Sequence, residues 1–192
     1  MIESNWIPLQ GIPATGKTIL LESQDFWQSA CKEFGLECTI REPVSAKIDI
    51  LPQQEGVLFR GRIHGNVVMP CDRCARDSIF SLAHSFDSFE PFPADMMPGQ
   101  PPSAQEENLS DGSDEAVIRS AAHGRGIEIN PSALAWQEFC LALPVKPLCE
   151  ENCLGLCPVC GVNKNTEDCS CTTTEGDPRL AALRGLKLHN KK

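Results

Sequence analysis

Between Val44 and Phe86 the chain alternates apolar and polar residues with a period of two. Val44, Ala46, Ile48 and Ile50 fall on one face against Ser45, Lys47 and Asp49. Val57, Phe59, Ile63, Val67 and Met69 then oppose Leu58, Arg60, Arg62 and His64, and Phe80, Leu82 and Phe86 repeat the pattern. Alternation of this kind marks strands with one buried face. The short Gly- or Pro-containing joins between the runs predict turns, and so an antiparallel sheet with one solvated face. Helical periodicity is sparse. Ser23 to Phe34 places Trp27, Cys31 and Phe34 on one side and stops at Gly35, a helix with a glycine stop. Asn130 and Pro131 form an N-cap and first-turn pair ahead of a stripe of Ala133, Trp136, Cys140 and Leu143, which Pro144 ends. A last short helix is predicted over Asp177 to Leu186, and no internal repeat is present. The predicted class is α+β: an antiparallel sheet core, few helices and a cysteine-rich C-terminal element.

Composition divides the chain further. From Pro91 to Glu115 there are five prolines, six acidic residues and no Lys or Arg, too little apolar surface to offset the entropy of ordering. This predicts a disordered acidic loop, 91–115, between an N-terminal helix and sheet region, 1–90, and a remaining strand and helix region, 116–192, in a single domain overall. The loop carries six of the nine excess negative charges of the chain, whose formal net charge is -9. An acidic balance argues against a protein that holds nucleic acid by bulk electrostatic attraction, since such proteins are usually basic; binding through local patches stays open, and no DNA partner is expected. No charged and then apolar leader follows Met1, and no apolar run reaches the ~20 residues of a membrane span. The expected location is the cytoplasm, with no membrane partner.

Eleven cysteines are many for a compartment that keeps thiols reduced, so metal ligation explains them better than disulfides. Six of them lie within the 23 residues from Cys149 to Cys171: Cys149-x3-Cys153-x3-Cys157-x2-Cys160-x8-Cys169-x-Cys171. Zinc prefers four tetrahedral thiolates, and two intervening residues let a tight turn aim both sulfurs at one ion. One candidate site is therefore Cys157, Cys160, Cys169 and Cys171. A second joins Cys149 and Cys153 to the only other close pair, Cys71 and Cys74, and would pin the tail onto the sheet. Spacing alone equally permits the pairs to be exchanged, and one or two zinc ions are compatible with it. Cys31, Cys38 and Cys140 read as apolar core thiols.

Three other patterns point elsewhere. Gly11-Ile12-Pro13-Ala14-Thr15-Gly16-Lys17-Thr18 matches the phosphate-binding loop G-x-x-x-x-G-K-[ST], the signature of a nucleotide-binding protein when a strand precedes it and a helix opens at its end. Here Pro8 breaks the preceding stretch and the helical pattern starts only near Ser23. Cys71-Asp72-Arg73-Cys74 has the spacing of a thiol-redox pair, without the βαβ setting such pairs occupy. Cys153-x3-Cys157-x2-Cys160 has the spacing of radical S-adenosylmethionine enzymes, but only 32 residues follow Cys160. No catalytic constellation is evident. A basic tail, Arg179, Arg184, Lys187, Lys191 and Lys192, reads as a solvated helix or as a contact to a phosphate backbone. Arg60, Arg62 and Arg73, near one sheet face and the Cys71–Cys74 turn, are candidates for contact with RNA or a protein partner, with salt bridges inside the fold as the competing role.

The cysteine words also carry a resemblance. Leu143-Pro144-Val145-Lys146-Pro147-Leu148-Cys149, Cys153-Leu154-Gly155-Leu156-Cys157-Pro158-Val159-Cys160-Gly161 and Asp168-Cys169-Ser170-Cys171 resemble the C-terminal signature of the bacterial YceD family. Met69-Pro70-Cys71-Asp72-Arg73-Cys74 is similar to that family's central C-x-R-C element, and Asp177-Pro178-Arg179-Leu180 agrees as well. The resemblance implies a non-enzymatic factor for accumulation or maturation of large-subunit ribosomal RNA, with plant relatives in chloroplast ribosomal RNA processing. Its partners would be ribosomal RNA or large-subunit ribosomal proteins. Some members lack much of the cysteine set, which implies that zinc stabilises one structural variant.

Overall fold

A computed structural model describes residues 5–92, 116–121 and 126–171. Among these residues there are two antiparallel sheets, two α-helices and a short 3-10 turn at Leu9–Gly11, in the order β1 (Ile7–Pro8), β2 (Lys17–Leu21), α1 (Gln24–Glu33), β3 (Thr39–Pro52), β4 (Gly56–Pro70), β5 (Asp77–Pro91), β6 (Ile118–Ser120), β7 (Ile127–Ile129) and α2 (Pro131–Ala142), with the turn between β1 and β2. This is the α+β class with an antiparallel sheet and few helices. The larger sheet runs β2-β3-β4-β5 and the smaller one β1-β7-β6. β3, β4 and β5 correspond to the three alternating runs of the sequence, but each is longer than its apolar pattern. β2 and the three short strands carry too few alternating residues to have been visible.

The inward face of the large sheet buries Val44, Ala46, Ile48 and Ile50 with Val57, Phe59, Ile63 and Val67, joined by Leu82 and Phe86 from β5. Both helices contribute to this core, and a single apolar cluster includes Trp27, Ala30 and Cys31 of α1 and Leu134, Ala135, Trp136 and Phe139 of α2. Trp27 is fully buried, with its ring centroid 4.8 Å from Phe26 and 5.2 Å from Phe139. Burying each such side chain stabilises the fold by about 1.5–3 kcal/mol. His84 on β5 meets Glu138 on α2 at 2.8 Å, a polar tie beside that core. The helix starts follow their capping residues: Ser23 accepts from the Phe26 N–H and Asn130 from the Ala133 N–H.

Two details differ from the sequence pattern. In α2 the face that packs inward includes Phe139, so Cys140 turns to solvent rather than into the core. Cys31 is buried and Cys38 is half-buried beside it, the hydrogen bond between them raising the Cys38 thiol and lowering that of Cys31. The acidic 93–115 stretch, the helix expected over Asp177 to Leu186 and the basic tail lie outside the described residues.

Among the described residues no helix lies on the outward face of the large sheet. In register across β2, β3, β4 and β5 it presents Thr18, Asp49, Arg60 and Asp87 in one row and Leu20, Lys47, Arg62 and Ser85 in the next. Among the described residues no helix is long and apolar enough to cross a membrane.

Gly61 lies on the inward face at the middle of β4, opposite Phe86, whose ring occupies the space a Cβ would take. Gly61→Val should force that ring out of the core and cost about 1–3 kcal/mol, the usual penalty for overpacking. Denaturant unfolding of the two proteins measures it, and unchanged stability would mean that Phe86 is not held against the glycine.

Candidate metal centres

The turn between β4 and β5 is built around its two cysteines. Cys71 donates its N–H to the Arg76 carbonyl, and the Ala75 N–H returns to the Cys71 carbonyl at 2.8 Å, which curls Cys71 to Arg76 into a tight knuckle with Ala75 at φ 56. Both thiols then point to the same side. After α2, Pro144 and Pro147 keep the chain from continuing as a helix. The segment lies across the knuckle, with the Asp72 N–H bonded to the Pro147 carbonyl at 2.9 Å. That contact delivers Cys149 and Cys153 to the pair on the sheet.

The result is a group of four sulfurs, Cys71, Cys74, Cys149 and Cys153, all within 4.8 Å of one another. Cys71 Sγ is 3.8 Å from Cys153 Sγ, and Cys74 Sγ is 3.6 Å from Cys149 Sγ. A tetrahedron of Zn–S bonds near 2.3 Å has edges of about 3.8 Å, and these two separations match such an edge. Three of the four are buried. Among the described residues little else is apolar around them, only Leu148 packing against the group with the cysteines themselves.

A second group contains Cys157, Cys160, Cys169 and Cys171, again with all sulfurs within 4.8 Å. Cys157 to Gly161 repeats the knuckle: the Gly161 N–H bonds the Cys157 carbonyl at 2.9 Å, and Gly161 has φ +77. Cys71 and Cys74 thus converge with Cys149 and Cys153, and Cys157 and Cys160 with Cys169 and Cys171, with no exchange of pairs between the groups. This partition also separates Cys153 from Cys157 and Cys160, so the three thiols of the radical-enzyme spacing do not converge.

The two groups are joined at Arg73. Its Nη1 donates to the Cys153 carbonyl at 2.9 Å, and its own carbonyl accepts the Leu156 N–H at 2.9 Å. Gly155 passes directly over that carbonyl, where a Cβ would come within 2.9 Å at φ +76. Arg73 is therefore occupied within the fold, and so is Arg60, whose guanidinium is paired in two contacts with Asp87 at 2.8 and 3.1 Å. Among the described residues Arg62 has no such partner. The residue opposite it on β3 is Lys47, a neighbour the sequence reading overlooked because the two are 15 positions apart.

The other sequence motifs do not assemble sites. Lys17 and Thr18 open strand β2 instead of a helix, and the Thr18 hydroxyl donates to Asp49 at 2.5 Å. No helix N-terminus opens at Gly16 to cradle phosphates; the Ile12 and Gly16 N–H groups bond the Leu9 and Pro13 carbonyls in turns, and Lys17 and Thr18 pair with β3. Cys71 and Cys74 lie in a four-thiol group rather than as an isolated redox pair.

Thiol ionisation in each group is uneven. Desolvation opposes the Cys71 thiolate, but the N–H groups of Cys149, Arg73 and Cys74 outweigh it and hold the thiol at about 6. The N–H groups of Cys160 and Val159 likewise bring Cys157 to about 6. Burial pushes Cys149 up to about 12. The hydrogen bond with Cys160 takes Cys171 up to about 12, and the one with Cys157 raises Cys169. One thiol per group is thus ready as a thiolate at neutral pH while others hold their protons. Metal ligation needs every thiol deprotonated. Loading both groups at pH 7 should therefore release at least the protons of Cys149, Cys169 and Cys171, and apparent metal affinity should fall as pH drops. Calorimetry in buffers of different ionisation enthalpy counts the protons; zinc uptake with no proton release would contradict this ionisation pattern.

Comparison with curated proteins and with solved structures returns no match. A family model does match: that of YceD, the large ribosomal RNA subunit accumulation protein, over residues 59–187. The matched region begins in β4 and takes in all eight clustered cysteines. Spanning well over half of the chain, this match shows that the protein belongs to the YceD family.

Proposed function

We propose that this protein is a non-enzymatic cytoplasmic factor for accumulation and maturation of large-subunit ribosomal RNA, acting by binding during ribosome assembly, with zinc as a structural ion in both thiol groups. The observation that carries the reading is the family match, whose printed description names large ribosomal RNA subunit accumulation. The ligands would be Cys71, Cys74, Cys149 and Cys153 for one ion and Cys157, Cys160, Cys169 and Cys171 for the other. Bound there, zinc supplies cross-linking rather than chemistry, since four thiolates leave no open position for a substrate. In this reading the chain is one domain, with residues 91–115 as an acidic insertion and the metal-held element packed on the sheet.

The contact surface for ribosomal RNA, or for a large-subunit protein beside it, is the open face of the sheet. Of the three arginines singled out by position, Arg60 and Arg73 have partners inside the fold. Arg62 stands opposite Lys47 with Leu20 and Ser85 as the outer neighbours in that row. Like charges directly opposed on a sheet are destabilising on their own. A phosphate between them turns that repulsion into two charge-assisted contacts.

In a strain lacking this protein, large-subunit ribosomal RNA and the large-subunit peak of a sucrose gradient should fall relative to the small subunit, and the wild-type chain should restore them. Lys47→Glu with Arg62→Glu should fail to restore them, while Arg60→Ala should succeed. Normal subunit profiles in the deletion strain would contradict the proposed function.

A further inference from the structure

The eight-residue spacer between Cys160 and Cys169 does more than close the second thiol group. It folds back on the first. Leu156 pairs with Asn163 in an isolated antiparallel bridge, and the Lys164 N–H bonds the Gly155 carbonyl at 2.9 Å. Asn165 then reaches the ligand region itself. Its Oδ1 accepts the Leu154 N–H at 2.7 Å, its backbone N–H and Nδ2 both donate to Asn163 Oδ1 at 3.0 and 2.8 Å, and Nδ2 donates to Cys153 Sγ at 3.2 Å.

The orientation of this amide follows from the network. Leu154 offers a backbone donor, so the side-chain oxygen must face it, and the nitrogen, with two hydrogens, is left for Asn163 Oδ1 and the sulfur. Cys153 belongs to the first group and Asn165 to the spacer of the second. A side chain positioned by one group thus hydrogen-bonds a ligand atom of the other.

We infer that Asn165 couples the two thiol groups, so that metal in the Cys157, Cys160, Cys169 and Cys171 group strengthens metal binding by the Cys71, Cys74, Cys149 and Cys153 group. The inference rests on the reading that both groups hold metal. Its physical basis is the fate of the spacer. With its two ends, Cys160 and Cys169, fixed to one ion, the loop is closed and Asn165 is held against Cys153 before the first group loads. With those ends free, ordering the loop has to be done at the expense of the first group's binding. Once in place, the Nδ2–H draws charge from a sulfur in a centre where four thiolates surround one divalent ion, and contacts of this kind change metal affinity by about 10–100-fold. By linkage the effect is mutual: metal in the first group must favour metal in the second by the same factor.

Cobalt(II), whose absorption reports thiolate coordination, is the probe, added to the full-length metal-free protein under reducing conditions. Wild type should take up two ions over a single concentration range. Asn165→Ala should split the titration, lowering the affinity of the first group about 10-fold and leaving the second group's direct ligands intact. Asn165→Asp keeps the acceptor for Leu154 but places a carboxylate beside the thiolate, and should lower it further. Cys160→Ser with Cys169→Ser removes the second metal and should weaken the first group by a factor similar to Asn165→Ala. Adding Asn165→Ala to that pair should then cost nothing more. Far-UV circular dichroism of each variant checks that the sheet persists. If Asn165→Ala weakens the first group equally with and without the second metal, the residue acts only locally and the coupling is overturned. If wild type binds two ions and Asn165→Ala binds them unchanged, the coupling fails while the metal reading stands. If wild type binds none, both fall.

Discussion

The meeting of Cys71 and Cys74 with Cys149 and Cys153 is the constraint from which the rest of the C-terminal structure follows. These pairs are 75 and more residues apart in sequence, yet their four sulfurs lie within 4.8 Å of one another. Apolar packing among the described residues does not account for that meeting, because the surrounding cluster there contains only Leu148 besides cysteines. Backbone contacts help, notably the Asp72 N–H to the Pro147 carbonyl and the Leu156 N–H to the Arg73 carbonyl, each worth about 0.5–1.5 kcal/mol net. A structural zinc contributes roughly 10–16 kcal/mol of apparent binding free energy in small zinc peptides. An ion in the first group would outweigh all of the local hydrogen bonds together.

The sheet core and the thiol groups therefore hold different parts of the molecule by different means. Trp27, Phe59, Phe139 and the β-branched residues of β3 and β4 fill an ordinary apolar interior, and both helices lie against it. Among the described residues that arrangement leaves the opposite sheet face without a helix, and it is there that Lys47 and Arg62 stand together. The long β4–β5 hairpin carries both features, the open face along its length and the cysteine knuckle at its tip. The surface proposed for a large polyanion and the proposed metal cross-link for the tail thus share one element.

The large sheet was legible because its strands are long and half-buried: Val44 to Ile50 and Val57 to Val67 alternate cleanly, and the same residues line the core. Short strands were not. Ile7–Pro8, Ile118–Ser120 and Ile127–Ile129 hold two or three residues each, below the length at which a period of two is visible, and pairing between them is decided by tertiary packing. Cys140 was misread for a related reason. Phe139 and Cys140 sit side by side on a helix whose first turns are buried on every side, so a stripe drawn from sequence could not tell which of them faces in. Cysteine spacing favoured two groups but left the exchange of pairs open, since spacing carries no information on which turn meets which. Asn165 carried only a turn signal, among Asn163, Lys164 and Thr166, and its contact with Cys153 depends on a fold-back that no local pattern announces. Lys47 and Arg62 became neighbours through strand register alone.

The central claim is that the eight clustered thiols form two separate metal centres, one of them tying the tail to the sheet. Native mass spectrometry of untagged protein, purified without added metal or chelator, tests it most directly. The account predicts a mass increment of two zinc ions per chain, reduced to one when Cys71 and Cys74 are both changed to serine. A chain that carries no metal, or a double variant that still carries two ions, would contradict it.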